Sequence, residues 1–266
     1  MSEQEAWQLS DNAAENYEQH FVPAIFRDWA LRTANAADVS QGDRVLDVAC
    51  GTGIVARECA GRVGAEGHVT GLDLNDAMLA VARRMGPEID WRQGDAAALP
   101  FEDRAFDAVT CQFGLMFMPD RPRALSEMWR VLKPGGRLAV AVFGSTDDNR
   151  PYRILAEMGK RHGGAEAAAA LESPFVLGDT QELSGLFRKA GIDGAVISAH
   201  TGVEHFASMD RFMEIEIKGT PTAAHVSEDA YAAMVADAQT ELAFCRTDNG
   251  ALEFENRAHI VTARKT

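Results

Sequence analysis

The segment VLDVACGTGIVAR, Val45 to Arg57, holds the residue types best suited to chemistry. An apolar run carries Asp47 and ends on Ala49 and Cys50, and Gly51, Thr52 and Gly53 then turn the chain into a stretch of helical spacing. Small residues at such a turn let backbone approach a ligand closely, and the helix that follows presents unpaired N–H groups. Gly51, Gly53 and Ala56 also satisfy G-x-G-x-x-A, and Asp73 lies about 20 residues on, where a ribose-binding carboxylate belongs. A carboxylate there can accept both ribose hydroxyls and rejects a phosphorylated ribose. Read alone, the pattern serves an NAD(P)-dependent oxidoreductase as well as any other protein with a nucleotide cofactor.

The elements that must position these residues alternate short apolar runs with helix-period segments from Arg44 to Phe143, the pattern of a parallel α/β sheet. Strands are predicted at Arg44–Ala49, His68–Leu74, Ile89–Gly94, Phe106–Phe113 and Gly136–Phe143. Asn75 is placed to cap a helix bearing Met78, Leu79, Ala82 and Met85. A second helix, from about Arg121 to Leu132, is stopped by Lys133, Pro134, Gly135 and Gly136. Asp179 to Gly191 reads as another capped helix, Ala195–His200 as a strand, and Leu252–Lys265 as the last strand. Between the fifth strand and Gly178 lies a low-complexity patch, GGAEAAAA, expected as loop and helix.

Four segments, in order, resemble class I S-adenosylmethionine-dependent methyltransferases, especially the branch containing quinone-biosynthesis C-methyltransferases. DVACGTG (Asp47–Gly53) is similar to that family's glycine-rich first motif, with Ala49 where its first glycine is common. GLDLNDAML (Gly71–Leu79) resembles the ribose-binding strand end and helix, GDAAALPFEDRAFD (Gly94–Asp107) the adenine segment, and WRVLKPGG (Trp129–Gly136) the turn after the helix. The resemblance implies a Rossmann-like, doubly wound, seven-stranded and mostly parallel sheet with an antiparallel last strand. It implies S-adenosyl-L-methionine as cofactor, with Asp73 on the ribose, Gly94, Asp95 and the Ala96 N–H on the adenine, and Leu74 and Met78 flanking the ring. Ala49, Cys50, Gly51, Thr52, Gly53, Gln112 and Phe113 would face the methionine portion, Asp47 its ammonium, and Tyr17 would cover the site. Met78 also suits plain core packing, and Asp95 plain turn capping.

Methyl transfer needs little from side chains beyond alignment in a water-poor pocket, and a base only where the acceptor must lose a proton. No catalytic residue is assigned. His20, near Tyr17, serves packing or the surface equally well, and the strand-to-loop spacing of His200 and His205 around Glu204 gives no defined metal geometry, so no metal is expected. The chain has no [DNS]-P-P-[YFW] segment and no Pro-Cys dipeptide. By resemblance, these belong to enzymes that methylate amino groups of adenine or glutamine and carbon 5 of cytosine. Cys50 and Cys111 fall in buried strand contexts unsuited to nucleophiles.

In an open α/β sheet, ligands bind beyond the carboxyl ends of the strands, so connections leaving those ends build the substrate site. Two are long, Gly144–Gly178 and Thr201–Gly250, the second far beyond an ordinary loop. The expected organisation of residues 1–266 is an N-terminal helical cover over 1–40, a cofactor-binding core over 42–200, a helical lid over 201–250 and a last strand over 251–266. Phe113, Met116, Phe117, Phe143, Tyr152, Phe212 and Met213 are candidate walls of a pocket for a small-molecule acceptor.

Composition narrows the partners. The 266 residues carry 40 acidic against 26 basic side chains, a net charge of −14, which repels nucleic acid and anionic membrane surfaces. No apolar run reaches the about 18 residues of a membrane span, the N-terminus has no leader pattern, and the four cysteines form no CxxC pair. A cytoplasmic setting is expected. A cofactor-binding regulator that has lost its acceptor remains the non-enzymatic alternative.

Overall fold

The computed structural model describes residues 11–266, so the first ten residues of the expected N-terminal cover lie outside the described residues. Seven strands form one sheet: β1 (Arg44–Val48), β2 (His68–Asp73), β3 (Asp90–Gln93), β4 (Phe106–Gln112), β5 (Leu132–Phe143), β6 (Val196–Phe206) and β7 (Leu252–Arg264). Their order is β3-β2-β1-β4-β5-β7-β6. β1 pairs in parallel with β2 and β4, β2 with β3, and β4 with β5. β7 alone runs antiparallel, between β5 and β6. This is the Rossmann-like doubly wound α/β sheet expected from the sequence. Because β1 to β3 wind one way and β4 and β5 the other, the switch point falls between the C-terminal ends of β1 and β4.

The helices are α1 (Asp11–Asn16), α2 (Arg27–Ala36), α3 (Ile54–Val63), α4 (Asp76–Met85), α5 (Arg121–Val131), α6 (Arg150–Glu172), α7 (Thr180–Lys189), α8 (Met209–Met213) and α9 (Glu228–Glu241). A π-helical stretch, Tyr17–Phe26, joins α1 to α2 and contains Pro23, whose missing N–H favours a widened turn over regular α-helix. Asn75 caps α4 as expected, accepting from the N–H groups of Ala77 and Met78. The central strands are buried on both faces: Val45, Leu46, Val48, Val109, Cys111 and Val140 are all inaccessible.

Three boundaries differ from the sequence reading. β5 begins at Leu132, because Lys133–Gly136 is absorbed as an irregularity opposite Phe106–Ala108 and does not interrupt pairing. The GGAEAAAA patch lies within α6, which kinks at Gly164, a glycine with φ of 87°. β6 extends past His200 to Phe206, since the long β7 offers partners along its whole length, from Val196 opposite Thr262 to Phe206 opposite Leu252. The helical excursion therefore begins after Phe206. It comprises α8, a π-helical turn at Glu214–Lys218, a 3-10 turn at Pro221–His225 and α9. α9 is tied to α6 by Arg161, bonded to Asp237 and Glu241, and by His162, 2.8 Å from Asp237. Among the described residues no helix is long and apolar enough to cross a membrane.

Candidate active site

A cavity of ≈ 350 Å3 opens at the switch point. On the β2–β3 side its wall is the turn after β1 and the ends of β2 and β3, and Asp73 fixes both turns. Its Oδ2 accepts from the Gly51 N–H and its Oδ1 from the Asn75 N–H, each at 2.8 Å. Asp73 therefore has a structural role that the sequence alone does not reveal. Burial raises its pKa, and the two N–H donors oppose that shift.

Beyond Asp73, the cavity is lined by Leu74, Met78, Gly94, Asp95 and Ala96, and near the switch point by Tyr17, Ala49, Gly51, Gln112 and Phe113. Eleven of the expected cofactor residues thus share one surface. Asp95 accepts from the Ala97 N–H at 2.9 Å, so it caps a turn while also facing the cavity. Gln112 accepts from the Thr33 hydroxyl at 2.9 Å, tying β4 to α2. Tyr17 stacks on Phe21 and Phe26, with centroids at 5.6 and 5.4 Å.

Asp47, Cys50, Thr52 and Gly53 do not line the cavity. Asp47 is buried beneath the turn, where its Oδ1 accepts from the Thr110 hydroxyl at 2.9 Å. Its Oδ2 makes no hydrogen bond of ordinary length and angle, and burial pushes its pKa up to about 7. The Thr52 hydroxyl is also buried without a partner. Gly53 (φ 89°) packs against Trp91, whose ring would lie 2.2 Å from a Cβ placed there. Two non-glycine residues facing the cavity, Ala49 (φ 54°) and Phe113 (φ 51°), hold left-handed backbone. That conformation disfavours a Cβ and concentrates at functional sites. It also explains in physical terms why a glycine would suit position 49.

On the β5 side, side chains make the wall. Phe113 and Phe143 stack with centroids 4.0 Å apart, Phe175 lies 5.4 Å from Phe143, and Tyr152 lies 4.8 Å from Phe175. Of the expected walls, Phe113, Phe117, Phe143 and Tyr152 face the cavity. Met116, Phe212 and Met213 instead fill the adjoining core. The sequence reading missed Phe175, Glu216, Thr220 and Thr222, which line this side. It also assigned no role to Glu204, which lies fully buried nearby. Glu204 gave one signal: it falls in phase with Gly202 and Phe206, on the buried face of β6.

The histidines lie apart from this surface. His20 does not line the cavity. His200 pairs with the Ser198 hydroxyl at 2.8 Å and His205 with Glu253 at 3.1 Å, while Glu204 points into the protein. Burial pushes the Cys111 thiol up to about 12 and the Cys50 thiol well above its ordinary value, so neither thiol is an available nucleophile.

Residues 20–207 match the model of the ubiE/COQ5 methyltransferase family. The "Ubiquinone/menaquinone biosynthesis C-methyltransferase UbiE" of Edwardsiella ictaluri is 35% identical over 202 residues, covering 67% of this chain and 80% of that protein. The "2-phytyl-1,4-naphtoquinone methyltransferase" of Thermosynechococcus vestitus is 44% identical over 118 residues, covering 43% of this chain and 52% of that protein. Among solved structures, the phosphoethanolamine N-methyltransferase 2 of Haemonchus contortus, in complex with S-adenosylhomocysteine, superposes with a TM-score of 0.61. It is 20% identical and covers 99% of this chain and 59% of that one, a likeness of fold.

Proposed function

The chain belongs to the ubiE/COQ5 methyltransferase family and is an S-adenosylmethionine-dependent methyltransferase, and from that premise we propose which residues hold the donor and what acceptor it serves. The donor supplies a methyl group already activated for attack by a nucleophile. Asp73 takes the ribose hydroxyls, because its carboxylate is locked in place by Gly51 and Asn75 and still faces the cavity. Asp95 and the Ala96 N–H take the adenine edge, with Leu74 and Met78 on its faces. Ala49, Gly51, Gln112 and Phe113 surround the methionine portion. Asp47 acts on the ammonium from beneath the turn, through its charge and not through contact. The polar side chains of Asp73, Asp95 and Gln112, all facing the cavity, support the fit of a polar ligand here.

The acceptor is a small aromatic molecule bearing a hydroxyl group, of the quinol type. One observation carries this reading: the donor surface and the aromatic chamber of Phe143, Tyr152 and Phe175 are parts of one cavity. The quinone names of the relatives agree with it. The four cysteines, all unpaired and buried, support a reducing, cytoplasmic setting.

The test has two steps. Calorimetric titration should show binding of S-adenosylmethionine and S-adenosylhomocysteine. Labelled methyl should then appear on 1,4-naphthohydroquinone, with the attacked atom identified by NMR. A folded protein that binds the donor but methylates only protein or nucleic acid overturns the acceptor reading.

A further inference from the structure

The chamber contains a buried polar cluster that donor binding does not use. The Tyr152 hydroxyl lies 2.6 Å from Glu204 Oε2 and 3.2 Å from Glu216 Oε1. The Asn256 amide donates to the other oxygen of Glu204. All four side chains are at most 8% exposed, yet Tyr152 and Glu216 line the cavity. Glu216 also lies beyond residues 20–207, the stretch that matches the family.

One phenol cannot donate to two carboxylates at once. Two carboxyls bridged by its oxygen are therefore satisfied by sharing a single proton. With that proton on Glu216, the Tyr152 O–H points to Glu204; with it on Glu204, the Tyr152 O–H points to Glu216. The hydroxyl can thus pass the proton between them, leaving Glu216 ionised and facing the cavity. The charged and titratable groups facing Glu216 are Tyr152 from α6 and Glu204 from β6, and no cation among the described residues pairs with either carboxyl. Burial raises both carboxyl pKa values, and the charge of Glu204 raises Glu216 further, which brings a carboxylate base toward a neutral working range.

On the acceptor reading given above, we propose that Glu216 is the general base of the transfer, with Tyr152 and Glu204 as its positioning residues. The acceptor's O–H bond breaks, its proton joins a Glu216 carboxylate oxygen, and its electron pair makes oxygen or the conjugated ring carbon nucleophilic. The new bond to methyl forms as the methyl–sulfur bond breaks with its pair left on sulfur, and where ring carbon attacks, its C–H proton moves to the acceptor oxygen to restore the aromatic ring. The cluster then holds two protons and returns one to solvent after product leaves.

The test uses the full chain, S-adenosylmethionine and 1,4-naphthohydroquinone. Glu216→Gln is expected to lower kcat about 100-fold or more, with donor affinity unchanged. Wild-type kcat should rise with pH through a group above the ordinary carboxylate range, and that rise should vanish in Glu216→Gln. In Glu204→Gln it should move to lower pH, because the charge raising Glu216 is gone. Wild-type kcat and pH profile in Glu216→Gln overturn the proposal. If the wild type binds donor but leaves the quinol unmethylated, the quinol reading fails, and carboxyl-13C NMR decides Glu216 independently of turnover. One glutamate should titrate well above the usual range and be absent from the Glu216→Gln spectrum; ordinary titration of Glu216 overturns the proposal.

Discussion

On the β2–β3 side the cavity wall is mostly turn backbone, held by Asp73 and by left-handed residues at Ala49 and Gly51. On the β5 side it is side chains carried by helices and strand ends, Phe143, Tyr152, Phe175 and Glu216. The difference separates two tasks. On the reading proposed above, a donor common to many reactions would be met by fixed amides and one locked carboxylate, and the acceptor by replaceable side chains. Changes on one side should therefore leave the other largely intact.

The largest expected effect is on the chamber. Phe175→Ala removes the ring packed between Phe143 and Tyr152 and should cost about 3–5 kcal/mol of stability. Donor affinity, measured calorimetrically, should stay within about two-fold; a coupled loss would break the separation of the two sides.

Next is pH, which acts on both. A carboxyl whose folded pKa exceeds its unfolded value binds more protons in the fold, so stability is full below the unfolded pKa and falls as pH rises to the folded one. Asp47, pushed up to about 7, should withdraw on the order of 3–4 kcal/mol between about pH 4 and about pH 7. Glu204 and Glu216 shift in the same direction. Urea unfolding at stepped pH should show this slope, reduced on the donor side by Asp47→Asn and on the chamber side by Glu204→Gln with Glu216→Gln. A flat profile in the wild type would contradict both burials.

Asp73→Ala comes third. Loss of charge-assisted bonds to the ribose should weaken donor binding by about 1.5–3 kcal/mol, visible as a raised Kd. Unchanged affinity would leave Asp73 only its structural bonds to Gly51 and Asn75. The smallest effect sharpens the comparison. Ala49→Gly relieves left-handed backbone and should raise stability by about 1 kcal/mol, read as a higher urea midpoint. A fall instead would mean that the Ala49 methyl packs usefully.

Much of the cavity wall on the β2–β3 side was legible because its signals are local. A strand end, a turn of small residues and a carboxylate at the next strand end are set within a few residues of one another, so Gly51, Asp73 and Asp95 declare themselves in order. The same locality groups with them Asp47, Cys50, Thr52 and Gly53, which do not line the cavity. They share the turn, but strand alternation and the left-handed steps rotate them away from the cavity, Gly53 onto Trp91 and Asp47 onto Thr110.

The sequence by itself determined the α/β alternation, the seven strands and the placing of the long excursions at strand ends, because hydrophobic period and turn chemistry act over short spans. Only the tertiary structure decided how far β6 runs, which aromatics face the cavity, and that Tyr152, Glu204, Glu216 and Asn256 meet. Those four come from four different elements, α6, β6, the π-helical turn and β7, and a buried carboxyl in sequence looks like any solvated one until packing removes its water.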